Sequence, residues 1–283
     1  MNASSSSTFK IGGVLTVNRL GFGAMRITGK GIWGKPANVE EARRVLRRAV
    51  ELKINFIDTA DSYGPNVSEE LIGETLAPYP KGVVIATKVG LVRPGPDVWN
   101  MNAKPDHIFK SVEGSLSRLK LKQIELYQLH RIDLKTPLAD TIGALKELQK
   151  SGKIKHLGLS EVSVAEIKKV REMVEVVTVQ NLYNFSDRKH EDVLAYCEKN
   201  NIGFIPWFPL ATGSLAQDGS PLSKIAAKYK VNPGQIALAW LLKKSPVMLP
   251  IPGTSTVSHL EENVAAAEIK LSEEDFKTLA SLK

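Results

Sequence analysis

The stretch GKIKHLGLSEVSVAEIKKVREMVEVVTVQ, residues 152–180, holds two short apolar runs around one amphipathic stretch. Ile154 to Ser160 and Val176 to Gln180 read as strands, and Ser163 to Met173 reads as the helix between them. Ser163 has the hydroxyl of a helix cap, with Glu166 three residues on to return the bond. Gly152, just after Lys150, reads as the stop of the preceding helix. Runs so rich in Val, Ile and Leu fit strands covered on both faces, as in a parallel sheet.

Outward from this unit the same alternation recurs about eight times. The other candidate strands are Arg19 to Gly23, Asn55 to Asp58, Val83 to Lys88, Glu125 to His130, Gly203 to Trp207 and Val247 to Ile251. The other helical patterns are Asn38 to Leu52, Ser68 to Ala77, Pro105 to Leu119, Leu138 to Ser151, Arg188 to Asn200, Pro221 to Lys230, Pro233 to Lys244 and Val257 to Ala267. A hairpin over Thr8 to Val17 precedes them, with Gly12 and Gly13 supplying the positive φ of a two-residue turn. No Pro- or Gly-rich linker divides the set, so residues 1–283 read as one domain. Eight units of about 35 residues fit an α/β fold of the (β/α)8 TIM-barrel type with an N-terminal β-hairpin. A doubly wound sheet would need Gly-x-Gly-x-x-Gly after its first strand, and Gly21-Phe22-Gly23 runs on into Ala24, Met25 and Arg26.

Composition narrows the function. Hydrophobic residues make up 43% and charged residues 24% of the 283, enough apolar material for a packed core and too much for disorder. No run reaches the length of a membrane-spanning helix, since Ile236 to Leu242 meets Lys243 and Lys244. The net charge of +8 suits anionic ligands, but the cations are dispersed and lack interleaved aromatics, so no nucleic-acid partner is expected. One cysteine excludes an internal disulfide, and five scattered histidines give no metal constellation. Met1 to Thr8 lacks the features of a secretory signal and reads as a frayed terminus of a cytoplasmic protein. The Asn-X-Ser triplets at Asn2, Asn66 and Asn184 then carry no meaning for glycosylation.

In a barrel the catalytic groups gather where strands finish. Asp58 ends one strand and opens the loop to Tyr63 and Gly64; Lys88 ends the next; His130 ends the third. Singly, each has a bland reading as a cap, a packed ring or a solvated charge. Jointly they form a proton-delivery set. Reducing a carbonyl needs a donor where the alkoxide charge develops. A tyrosine can donate, an ammonium beside it lowers its pKa from about 10, and a carboxylate keeps that ammonium charged. An imidazole can polarise and orient the carbonyl.

Asp58-Thr59-Ala60-x-x-Tyr63-Gly64, Thr87-Lys88 and Leu129-His130 resemble the signature of the aldo-keto reductase family, and the resemblance spans nearly the whole chain. It implies a catalytic tetrad of Asp58, Tyr63, Lys88 and His130, with Tyr63 as proton donor. It further implies NADPH, or NADH, as cofactor. Ser160 and Gln180 would hold the nicotinamide carboxamide, and Trp207 would stack on the nicotinamide. Pro209, Leu210, Gly213 and Leu215 belong to the loop that would cross the pyrophosphate. Gly253, Ser255, Thr256, His259 and Asn263 would form the adenosine-phosphate site, where helix-start amides can cradle a phosphate.

Two residues depart from the pattern. Glu161 stands where the family usually has Asn, and a carboxylate only accepts hydrogen bonds. His259 stands where many members have Arg, which weakens the case for a 2′-phosphate.

Gly29 to Lys35 with Trp33, the loop Arg93 to Met101 with Trp99, and Arg131 are expected to border a small-molecule carbonyl substrate that is flat and polar or anionic. The pattern looks most like bacterial pyridoxal-reductase-type members. A cofactor-sensing NADPH-binding protein with slight turnover is the alternative within the resemblance. A Schiff-base aldolase using Lys88 is disfavoured, because Asp58 would keep the amine protonated. Cys197 reads as a buried, inert thiol, His156 as a group of the stabilising rim, and His107 and His190 as surface groups.

Overall fold

The computed structural model describes residues 1–210 and 220–281. Strands β1 (Thr8–Ile11) and β2 (Leu15–Asn18) form the opening antiparallel hairpin. Its register pairs Ile11 with Leu15, so three residues make the turn rather than two; Gly12 and Gly13 both have positive φ, at 58° and 74°. The terminus before it is docked, not frayed. Asn2 caps a 3-10 turn over Ala3–Ser6, Ala3 donates to the carbonyl of Leu52, and the buried Ser6 hydroxyl accepts from the amide of Leu20. The serines satisfy backbone groups there, so a polar segment can be buried.

The alternation follows in order: β3 (Phe22–Gly23), α1 (Val39–Glu51), β4 (Phe56–Asp58), α2 (Val67–Leu76), β5 (Val84–Val89), then a second hairpin of β6 (Leu91–Gly95) and β7 (Val98–Met101). Next come α3 (Pro105–Leu119), β8 (Ile124–Leu129), α4 (Leu138–Lys150), β9 (Ile154–Ser160), α5 (Val164–Arg171), β10 (Thr178–Leu182), α6 (Glu191–Lys199) and β11 (Gly203–Trp207). The described chain ends with α7 (Pro221–Tyr229), α8 (Pro233–Lys244), α9 (Val257–Ala265) and α10 (Glu273–Ser281). The expected caps are formed: Asn38 accepts from the amide of Glu41, Ser163 and Glu166 make a reciprocal box, and Gly152 turns at φ 73°.

Seven strands pair in parallel in the order β11-β10-β9-β8-β5-β4-β3. The eighth expected strand, Val247 to Ile251, is not a regular strand, yet its segment closes the ring. Phe204 donates to the carbonyl of Val247 and Leu249 to that of Phe204. On the other side Gly21 donates to Pro250 and Gly23 to Pro252. The pairing is sparse because Pro250 and Pro252 have no N–H to offer. The seam needs glycine: a Cβ on Gly23 would lie 2.6 Å from the carbonyl oxygen of Ile251. The fold is thus the (β/α)8 barrel, with the N-terminal hairpin placing Phe9, Ile11 and Val17 in the main core.

Two further elements differ from the sequence expectation. Residues Arg93 to Met101, expected as a loop, lie in the β6–β7 hairpin, where Pro94 inside a strand hides the alternation. Helix α10 was not expected at all, although Ser272 followed by Glu273, Glu274 and Asp275 is a helix start, and Ser272 caps Asp275 at 3.1 Å.

Candidate active site

Register brings the strand ends together. Asp58 of β4 sits opposite Ala86 of β5, and Lys88 of β5 sits opposite Gln128 of β8. Side chains two apart on a strand share a face, so Ala86 and Lys88, and Gln128 and His130, point to one interior. There the fully buried Lys88 ammonium donates to Oδ1 of Asp58 at 2.5 Å, to the carbonyl of Thr59 at 2.7 Å and to the Tyr63 hydroxyl at 3.3 Å. Three donors meet three acceptors, so the buried ammonium is satisfied. The other oxygen of Asp58 accepts from Gln128 at 2.8 Å and Gln180 at 3.0 Å.

Burial alone would discharge Lys88, but the Asp58 carboxylate and the Tyr63 phenol outweigh it and hold its pKa above the ordinary lysine value. Lys88 pulls the Tyr63 pKa down, as the sequence leads one to expect, but it does not set the net direction. Burial raises its pKa and outweighs the lowering by Lys88, so in this structure the phenol keeps its proton more firmly than a free tyrosine. His130 is held well below the usual histidine range by burial, then by Lys88 and Arg131, so its ring is neutral. Its Nδ1 faces the hydroxyl of Ser62 at 3.4 Å. That buried hydroxyl has no other side-chain partner among the described residues. Donation from Ser62 to Nδ1 leaves no buried O–H unmade and puts the ring proton on Nε2.

A cleft of about 700 Å³ opens above these groups, lined by Asp58, Tyr63, His130, Ser160, Gln180 and Trp207 among others. Its size is that of a small-molecule site. Tyr63, Trp99 and His130 meet edge to face, with centroids 5.9 to 6.5 Å apart. The Arg93 guanidinium lies 3.6 Å above the Trp99 ring and donates to the carbonyls of Gly31, Ile32, Ser62 and Val98. Arg93 therefore braces the wall and is not free for a ligand. Trp33 packs 5.8 Å from the same guanidinium and is not part of the cleft lining, which takes Ile32 instead. Arg131 lines the cleft, donating to Ser160 Oγ at 3.1 Å and to the carbonyl of His130, with no carboxylate within ion-pair distance among the described residues.

Of the expected cofactor residues, Ser160, Gln180, Trp207, Pro209, Leu210 and Gly253 line this cleft. Gln180 spends its amide N–H on Asp58, which leaves its carbonyl oxygen for a ligand. Gly213 and Leu215 lie outside the described residues. Ser255 and His259 are exposed and Asn263 is buried on α9. At the start of α9 two amides are already taken: Val257 donates to Oε1 of Glu41, and Thr256 donates to Thr254 Oγ1. Glu161 is turned away from the cleft. Its Oε1 accepts from Trp207 Nε1 and from the amide of Leu182, both at 2.6 Å.

Several residues here escape a reading of strand ends. Gln128 was readable as the inward neighbour of His130 two positions back; Ser62 had no local signal, and Arg93, expected at the substrate border, had none for its bracing role. Glu69 of α2, fully buried, accepts from Thr87 at 2.5 Å and pairs with Arg118 of α3 at 2.7 Å, tying two helices to the back of β5. Cys197 is buried with its thiol pushed up to about 12 by desolvation, as its helical position implied. His107 and His190 are only partly exposed.

Comparison with known proteins bears on the family and the fold. An uncharacterised oxidoreductase of Schizosaccharomyces pombe is 53% identical over 279 residues, covering 99% of this chain and 90% of that one. Pyridoxine 4-dehydrogenase of Escherichia coli is 40% identical over 281 residues, covering 97% and 98%. Among solved structures, a glycerol dehydrogenase from Gluconobacter oxydans superposes with TM-score 0.88 at 28% identity, covering 97% and 94%. An aldo-keto reductase from Klebsiella pneumoniae in complex with NADPH does so with TM-score 0.83 at 26% identity, covering 96% and 93%. The profile of the Aldo/keto reductase family matches residues 19–283, and the chain belongs to that family.

Proposed function

We propose that this protein reduces an aldehyde or ketone to an alcohol with NADPH, Tyr63 giving the proton. The carrying observation is the buried Lys88 ammonium shared between Asp58, Thr59 and the Tyr63 hydroxyl at the floor of the cleft. Because Lys88 donates to the phenol oxygen, the phenol's own hydrogen is left for a substrate oxygen. His130, neutral and protonated on Nε2, is suited to donate the second hydrogen bond, which fixes the carbonyl's direction. As negative charge grows on the phenol oxygen, Lys88 stabilises it, and Asp58 keeps the ammonium in place.

The cofactor supplies the hydride when bound. The residues present fit it: Ser160 Oγ and the Gln180 carbonyl oxygen can hold a carboxamide, and the Trp207 ring faces the cleft. The bare backbone of Gly253 also borders the cleft, where a Cβ would strike the carbonyl of Gly23 at 2.6 Å. The close resemblance to NADPH-complexed aldo-keto reductases supports NADPH. The E. coli relative's name points toward the pyridoxine–pyridoxal pair. Arg131 supports the same class, since its guanidinium, unpaired among the described residues, could meet an anionic oxygen beside the reacting carbonyl.

The test is NADPH oxidation with pyridoxal against simple aliphatic aldehydes, in the parent and in Tyr63→Phe. Pyridoxal should turn over faster. Tyr63→Phe should lose about 10²-fold or more of the rate while keeping cofactor affinity. Undiminished rates in Tyr63→Phe would refute the proton assignment, and equal or absent turnover of pyridoxal would remove that substrate.

A further inference from the structure

We infer that Glu161 is a positioning residue whose carboxylate holds the Trp207 indole as the platform for the nicotinamide, in place of the carboxamide contact its position suggests. The inference rests on the proposed NADPH reaction. Glu161 follows the last residue of β9 with a left-handed backbone, φ 54°, unusual for a residue with a side chain. Its amide is pinned to the carbonyl of Gln180 at 3.0 Å.

This turn sends the side chain along the rim, past β10 to β11. There one oxygen takes both the amide of Leu182, the last residue of β10, and the N–H of Trp207, the last residue of β11. Three neighbouring strand ends are joined through that single oxygen. Glu161 does not line the cleft, whereas Trp207 does.

The indole N–H is the ring's only polar handle, and Glu161 is its partner. Trp207 is half-buried, and Phe208 after it also has positive φ, 59°, so the backbone leaves the sheet at once. Without the carboxylate the ring would be free to rotate at an open rim. A ring already fixed in its stacking plane spares a bound nicotinamide the cost of ordering it. Backbone strain retained at a site's edge is what such over-determined positions show.

The experiment uses the intact protein and three variants. The emission of Trp207, isolated by difference from Trp207→Phe, is compared in the parent, Glu161→Ala and Glu161→Gln, without cofactor and then during NADPH titration. Glu161→Ala should shift this emission to longer wavelength and weaken NADPH binding about tenfold, with a smaller loss of kcat at saturating cofactor. Glu161→Gln keeps an acceptor oxygen and should rescue both signals, which separates positioning from a folding defect.

An unchanged dissociation constant in Glu161→Ala would overturn the proposal, as would a Glu161→Gln variant as weak as the alanine one. If the parent itself binds no NADPH while Glu161→Ala still shifts the indole emission, the reductase reading fails, and the assignment to the nicotinamide fails with it.

Discussion

Ser62 shows how much one hydroxyl can decide. The neutral His130 must carry its proton on one nitrogen, and among the described residues only Ser62 faces the other. Ser62→Ala removes the partner that selects the Nε2–H form. We expect kcat to fall about tenfold while the cofactor dissociation constant stays unchanged, measured by steady-state kinetics and fluorescence titration. A kcat equal to the parent's would show that the ring needs no such partner. At this scale the sequence was informative about residue type and poor about state. It brought Asp58, Lys88, Tyr63 and His130 to one rim through their strand-end positions. The protonation preference of Tyr63 depends on how completely the folded chain strips water from the phenol, and no local pattern encodes that.

Among the elements, α2 and α3 meet at Gly73, where a Cβ would lie 2.0 Å from the carbonyl oxygen of Arg118. In an isolated helix Gly→Ala is stabilising by about 1 kcal/mol. Here Gly73→Ala must push the helices apart and disturb the Arg118–Glu69 pair, so a net destabilisation of about 2 kcal/mol is expected in urea unfolding. A stabilised variant would mean that the close approach is not essential. Helix boundaries were legible from caps and prolines: Pro105–Leu119 and Pro233–Lys244 match the expected ranges residue for residue. The β6–β7 hairpin was not, because Pro94 within Leu91–Gly95 and Pro96 in the turn before Val98–Met101 break the alternation. The eighth strand was legible as apolar sequence, although the two prolines kept it from regular pairing.

For the whole molecule, two buried groups shape stability against pH in opposite senses. His130 titrates lower in the fold than its unfolded value of about 6.5, so the unfolded chain binds more protons below that pH and stability falls with acid. Asp61 is raised well above its ordinary value, by burial first and then by Glu69, with Arg118 opposing, and its Oδ1 has no hydrogen-bond partner among the described residues. The unfolded chain loses that proton near pH 3.9 while the fold retains it, so stability declines as pH rises above about 3.9 until the folded group ionises. Asp61→Asn removes this second effect. The variant's Tm relative to the parent should therefore increase between pH 5 and pH 8, by at least about 2 °C in thermal melts. A gap that does not change with pH would contradict a raised Asp61.

Periodicity, caps and glycine turns settled the order and type of most elements, because those signals act within a few residues. They also placed the polar strand ends on one rim, since a parallel barrel leaves little freedom about where its strands finish. Only the folded chain decided that segment 247–252 closes the ring with so few bonds, that the serine-rich start is docked, and that Glu161 reaches Trp207 instead of the cleft. Those outcomes depend on distances between residues far apart in the chain and on the exclusion of water between them, which arise only when the whole barrel is assembled.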